Sequence, residues 1–341
     1  MKKLTSFLSI FSFLFLLLAS VANAQLNFYF INVGMGNSTY IELPNGKNVL
    51  IDGGPSVRPI EAFLKSKNIT HIDHVVLTHP HSDHYVGLKK VFKIATVSNF
   101  YDSKAENLSA KGDNNLRELA NAQGSVTHYP KIGEYLDWDP TVNIRVLHTC
   151  ETEVASKNNG DINNCSIVLK FTYAGQKFLF MGDVEQPGER QILSRFTPSE
   201  LQADFIQPGH HGSKTASSQE FLNAVRPKMA VFSYSTGNKY GFPHYEVVSK
   251  LQAMNVAMFS TNEQTQTMFV KAPTRSAATK PELQINNYNV NLPTFTDSVD
   301  DIAVDEDGIM EVEMPSLKKD QNPVQSEKSR KSLEKLQHFS F

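Results

Sequence analysis

Three histidines and an aspartate, His79, His81, Asp83 and His84, fall within six consecutive positions of the sequence. One histidine at the end of a buried strand is ordinary; four polar groups there are not. Imidazole nitrogens and a carboxylate oxygen together suit a zinc-like divalent ion such as Zn²⁺, Mn²⁺ or Fe²⁺. Such an ion lowers the pKa of bound water toward neutrality, so the chemistry to expect is hydrolysis. Two further places could join the cluster. His210 and His211 stand between Gly209 and Gly212-Ser213, and flanking glycines let the backbone come close to a ligand. Asp183 follows Gly182; an aspartate in a turn is common, and it becomes informative only in company with the histidines.

These side chains need strands that end at one place. Ile72 to Leu77 is apolar and β-branched, and Pro80 and Ser82 break it into a loop. Gly87 follows, with a short helix expected over 88–92. Lys177 to Met181 reads as the strand leading to Asp183, and Ala203 to Gln207 as the strand leading to His210. The chain opens with expected strands at 26–33, 38–43 and 48–51, with a turn at Pro44-Asn45-Gly46-Lys47 and an end at Asp52-Gly53-Gly54. Helical spacing predicts helices over 60–67, 114–123, 189–195, 218–225 and 245–252. Further strands are expected at 125–129, 142–147, 167–171, 229–233, 256–260 and 267–270. His148 reads as a structural residue at a strand end, and 150–161 as a polar surface loop.

The motif His79-x-His81-x-Asp83-His84 resembles the HxHxDH signature of the metallo-β-lactamase fold superfamily. The resemblance implies an α/β fold, a four-layer αββα sandwich, with two metals at one edge. More of the sequence is similar to the ComEC/Rec2-type branch: Val33-Gly34-x-Gly36, Asn163-Asn164-x-Ser166, Gly182-Asp183, Gly209-His210-His211-Gly212-Ser213 and Tyr240-Gly241-x-Pro243-His244. The similarity runs from about Leu26 to Val270. Members of that branch are implicated in degrading DNA, and relatives with the same motifs cleave choline phosphodiesters. Carried over residue by residue, it implies that Asp83, His84 and His211 hold one metal and His79 and His81 the other. Asp183 would bridge them, and Asp52 would lie beneath the metal loop and orient it. Asp83, His210 and His244 become the candidate catalytic residues, and Ser213 and Asn163 the candidate substrate contacts. The order of His210 and His211 could be reversed. Three positions depart from the patterns: Asn163 or Asn164 where many members of the superfamily have a third histidine, Asn37 where the branch usually has Asp, and His81 where it often has Asp. The missing imidazole implies one tight Zn²⁺ or Mn²⁺ site and a second, weaker one.

The expected activity is that of an exported metal-dependent phosphodiesterase or nuclease, acting on a phosphodiester or other small ester, DNA included. A lactonase or β-lactamase-type acyl hydrolase is the first alternative, and a non-catalytic metal-binding protein the second. With 341 residues, 40% hydrophobic, the chain is long enough for one large core, and a net charge of -2 gives no polyanion signal. Two lysines, an apolar run and Ala22-Asn23-Ala24 read as a signal peptide, residues 1–24, cut before Gln25 and placing the protein in the periplasm or outside the cell. No segment after it is apolar enough to span a membrane. Residues 25–273 form the expected hydrolase domain, and 274–341, acidic and then Lys-rich, a mostly disordered tail. Cys150 and Cys165, the only cysteines, are either one disulfide or two separate buried thiols.

Overall fold

The computed structural model describes residues 25–110 and 112–272 in full, and the backbone of strands Leu283–Tyr288, Ile302–Val304 and Met310–Val312. The expected signal peptide lies outside the described residues, as does most of the expected tail.

The first sheet begins with antiparallel strands β1 (Gln25–Phe30), β2 (Thr39–Glu42) and β3 (Asn48–Ile51). It continues in parallel through β4 (His71–Leu77), β5 (Thr96–Asp102) and, beyond the short β6 (Ala105–Asn107), β7 (Val126–His128). The second sheet contains β8 (Asn143–His148), β10 (Val168–Tyr173), β11 (Gln176–Phe180), β12 (Phe205–Gln207), β13 (Met229–Phe232) and β14 (Ala257–Ser260). Strand β15 (Thr265–Lys271) returns to pair with β1, and β16 (Leu283–Tyr288) pairs antiparallel with β15, bringing the first sheet to eight strands. Thus a segment inside the stretch read as tail extends the sheet.

Apolar residues facing inward from both sheets form the central layer, in which Phe28, Phe30, Phe171, Phe178, Phe180 and Phe205 are fully buried or nearly so. The Phe28 and Phe178 rings lie 4.7 Å apart. Helices α1 (Val57–Ser66), α2 (Ser82–Ile94) and α3 (Gly112–Gln123) cover the outside of the first sheet through Ile60, Phe63, Leu88, Val91 and Leu116. After the short α4 (Asn159–Asn163), the helices α5 (Gln186–Arg195), α6 (Pro198–Leu201), α7 (Gln219–Val225) and α8 (Tyr245–Ala253) follow. Ile192, Leu201, Phe221, Leu222, Val247 and Leu251 from these cover the second sheet. Each layer buries one apolar face, which gives the expected αββα order.

Helix α2 starts at Ser82, six residues before the start expected from periodicity. Asp83 and His84 therefore sit in a first helical turn rather than in a loop. Polar residues in that turn hide the period, because their side chains face the site instead of the core. The region read as a polar loop also contains structure: β9 (Val154–Ser156) pairs with β6, and α4 carries Asn163. Cys150 and Cys165 form a disulfide with Cα atoms 4.7 Å apart, closing that segment. Among the described residues no helix is long and apolar enough to cross a membrane.

Candidate metal centre

Parallel strands end at the same edge, and three of those ends supply the site. The segment after β4 carries His79 and His81, the one after β11 carries Asp183, and the one after β12 carries His210 and His211. The α2 amino terminus adds Asp83 and His84. Close backbone contact sets this arrangement. Gly53 N–H donates to the His84 carbonyl at 2.7 Å, and Gly87 N–H to the Gly54 carbonyl at 3.0 Å. A Cβ at Gly87 would stand 2.0 Å from the Gly53 oxygen, so only glycine lets the helix lie on the turn. A Cβ at Gly209 would stand 2.4 Å from the Val184 oxygen, so that glycine brings the histidine pair up to Asp183. His210 and His211 both have left-handed backbones, with φ of 50° and 54°. Non-glycine residues in that region store strain on the order of 1–3 kcal/mol each, held here by the surrounding packing.

Asp183 is the hub. Its Oδ2 lies 3.4 Å from His84 Nε2, 3.6 Å from His211 Nε2, 3.8 Å from His79 Nε2 and 3.9 Å from His210 Nε2. Asp83 Oδ2 adds a contact of 3.3 Å to His211 Nε2 and 3.8 Å to His84 Nε2. One donor atom from each of Asp83, His84, Asp183 and His211 lies within 4.8 Å of all the others. His79 Nε2 and His81 Nδ1, outside that group of four, approach each other to 2.9 Å.

The far sides of these rings are held. His84 Nδ1 contacts Asp52 Oδ2 at 2.7 Å, and the same carboxylate accepts from Thr78 N–H at 2.9 Å and Thr78 Oγ1 at 2.8 Å. His211 Nδ1 donates to the Ser233 carbonyl at 2.8 Å, which leaves the Nε2 lone pair facing the cluster. Ser166 Oγ lies 3.2 Å from His79 Nδ1 and accepts from Asp183 N–H at 3.0 Å. Asn37 donates to Asp52 Oδ2 at 3.3 Å and accepts from Gln207 at 2.6 Å. An aspartate at position 37 would put a second carboxylate against Asp52, so the amide suits this chain.

A divalent ion fits these donors. His84 Nε2, His81 Nε2 and Asn163 Oδ1 are buried without a hydrogen-bond partner, where each would otherwise cost desolvation free energy. Burial alone would depress His84, yet the carboxylates of Asp183, Asp52 and Asp83 outweigh it and hold its pKa well above the ordinary imidazole range. Burial pushes Asp183 up, and the imidazoles of His84, His211, His210 and His79 outweigh that and hold it well below the usual carboxylate range. The site draws positive charge.

The remaining candidates divide. Asn163 is buried, with Nδ2 3.4 Å from Glu185 Oε1 and from His210 Nδ1, and its Oδ1 unused. Asn164 is fully engaged: its Oδ1 accepts from Glu185 and Gly188 N–H at 3.2 and 2.9 Å, and its Nδ2 donates to Gly160 at 2.7 Å. Asn163 is therefore the amide that can face an ion. Ser213 is buried with its hydroxyl 2.8 Å from Thr215 Oγ1, so it turns to its neighbour rather than standing free for a substrate. His244 lies at the rim and accepts the Lys214 N–H on Nδ1 at 3.0 Å, which puts the proton of its neutral ring on Nε2. His148 is buried and holds the Asn164 carbonyl at 2.8 Å, a structural role. Sequence reasoning missed Glu185. Its Oε1 contacts His210 Nδ1 at 2.9 Å and accepts from Thr215 Oγ1 at 2.8 Å. The signal was its place two residues after Asp183.

Two packed sheets under outer helices, with a His/Asp cluster at the strand ends, define a metallohydrolase architecture. Residues 31–236 match the family described as the metallo-beta-lactamase superfamily. ComE operon protein 3 of Bacillus subtilis is 27% identical over 252 residues, 68% of this chain and 31% of that protein. Competence protein ComA of Neisseria gonorrhoeae is 28% identical over 234 residues, 68% of this chain and 30% of that protein. Recombination protein 2 of Haemophilus influenzae is 28% identical over 238 residues, 68% of this chain and 27% of that protein. The matches span less than a third of the length of these relatives. The chain belongs to the metallo-β-lactamase superfamily, in its ComEC/Rec2-type branch.

Proposed function

We infer that the protein is an exported phosphodiesterase or nuclease. The observation that carries this is the hub geometry: one Asp183 oxygen, after β11, faces the Nε2 atoms of four histidines drawn from two other strand ends and the α2 amino terminus. Asp83, His84 and His211 would hold one ion with Asp183, and His79 and His81 a second, with Asn163 Oδ1 in place of a third imidazole. Bound ions supply Lewis acidity toward a phosphoryl oxygen and activation of water. The chain supplies the rest. The Glu185 carboxylate fixes the His210 ring, so that Nε2 points into the site and can deliver a proton to a leaving oxygen. His244, with its proton on Nε2, can donate to a substrate oxygen at the rim. Asp83, whose side chain is 30% exposed, faces both the cluster and solvent and can orient a water.

An amide donor is weaker than imidazole toward zinc-like ions, which supports unequal occupancy by Zn²⁺ or Mn²⁺. The names of the competence and recombination relatives support DNA as a substrate, and the Cys150–Cys165 disulfide supports an oxidising, extracytoplasmic compartment. Purified protein loaded with Zn²⁺ or Mn²⁺ should hydrolyse bis(p-nitrophenyl) phosphate and leave lactones and β-lactams intact. Preferential opening of a lactone or β-lactam would overturn the assignment in favour of acyl chemistry.

A further inference from the structure

Beside the metal centre the chain exposes rings that the fold does not need. Tyr240, on the segment that leads into α8, is 51% exposed, and Tyr245, the first residue of α8, is 78% exposed. Tyr240 stacks on Phe242 with centroids 5.3 Å apart and ring planes 16° apart. Phe242 lies 5.2 Å from the His210 ring, 6.0 Å from His211 and 5.1 Å from His244. A continuous aromatic ledge thus runs from the cluster outward to solvent.

The ledge is held in place. Asn238 accepts from Phe242 N–H at 3.0 Å, and its Nδ2 donates to the Phe242 and Ser235 carbonyls at 2.8 and 3.0 Å. That amide closes the loop, so Tyr240 is presented on a fixed turn rather than on a free strand of chain. Lys239 is exposed, with its Nζ 5.1 Å from the Tyr240 ring centroid. Lys214, also exposed, sits beside His244.

We propose that this ledge is a base-stacking subsite: it binds the nucleobase of a nucleotide flanking the scissile phosphate, in a single-stranded substrate. The inference rests on the phosphodiesterase reading. Stacking suits any base, because every base has a π face, and it needs the base unpaired. The two lysines set the sign of the ligand. They complement a phosphate chain and oppose a cationic headgroup, which an aromatic surface could otherwise attract. Lys239 can swing from the ring to a neighbouring phosphate, opening the face as it does so.

The test compares two short labelled oligomers with phosphorothioate linkages that slow turnover, oligothymidylate and an abasic deoxyribose-phosphate chain of the same length. Fluorescence anisotropy with metal-loaded protein should show about tenfold or more tighter binding of the base-bearing oligomer. Tyr240→Ala should remove most of that preference and leave the abasic affinity unchanged, while Tyr240→Phe should retain it. Equal affinity of the native protein for the two oligomers would overturn the proposal. So would an equal loss of both in Tyr240→Ala, or tighter binding of a phosphocholine ester than of oligothymidylate. A separate hydrolysis assay on unmodified oligothymidylate keeps the readings distinct: absence of cleavage there counts against the phosphodiesterase, while the binding difference alone decides the ledge.

Discussion

Asp52 shows how much of the site lies one step behind the donors. Its carboxylate holds the Thr78 backbone, the Thr78 hydroxyl and His84 Nδ1, yet it faces no open space itself. Asp52→Asn keeps the shape and removes the charge that orients His84. It should weaken metal affinity on the order of 10–100-fold, measurable by competition with a chromogenic chelator. A fall of less than twofold would show that His84 is held by packing alone. Asn163 allows the opposite experiment. Asn163→His should tighten the weaker ion position and leave the stronger one unchanged, as read by two-phase metal titration. Identical titration curves for the two proteins would place the amide outside the metal's reach.

At the scale of elements, the site depends on two strand layers and a helix held at fixed distance. Gly87→Ala puts a methyl group into the Gly53 carbonyl and should lower thermal stability by about 1–3 kcal/mol, with loss of metal affinity as α2 lifts from the Asp52 turn. Unchanged affinity in a destabilised protein would separate the helix position from the site. His74 of β4 is buried against Trp138, with ring centroids 4.7 Å apart, and burial lowers its pKa from 6.5 to about 4. The folded form therefore prefers the neutral ring. Stability is full above the unfolded value of 6.5 and is lost as pH falls through about 4, by about 3 kcal/mol in total. His74→Phe keeps the stack and should flatten the melting temperature between pH 6.5 and 4; an unaltered acid slope would place the acid sensitivity elsewhere. The sequence made most of these elements legible. Apolar alternation marked β1, and strands ending in Gly-Asp and in Pro-Gly-His-His marked β11 and β12, because chemistry and strand ends coincide there. The start of α2, the β6–β9 pair and α4 were not legible, since their polar residues face the site or form short local contacts without a period. Glu185 carried no periodic or motif signal in the sequence, and the fold turns it against His210.

For the whole molecule, the two sheets carry the site, and the expected signal peptide gives an export prediction. Protein recovered from outside the cytoplasm should begin at or near Gln25 by N-terminal sequencing; protein found in the cytoplasm with Met1 intact would contradict export. Strand β16 covers the edge of β15, and an uncovered edge is a template for self-association. Truncation after Tyr288 should leave activity intact. Truncation near Pro273 should preserve turnover while promoting oligomers visible by light scattering, and loss of folding would show a larger contribution from the removed segment. The central claim joins metal, hub carboxylate and phosphodiester. Apo-protein titrated with Zn²⁺ or Mn²⁺, while hydrolysis of bis(p-nitrophenyl) phosphate is followed, tests all three together. The account predicts no turnover without metal, one tightly and one more weakly bound ion, and neither ion retained nor activity recovered in Asp183→Ala. Full activity in the apo-protein, or two equally tight ions, would contradict it.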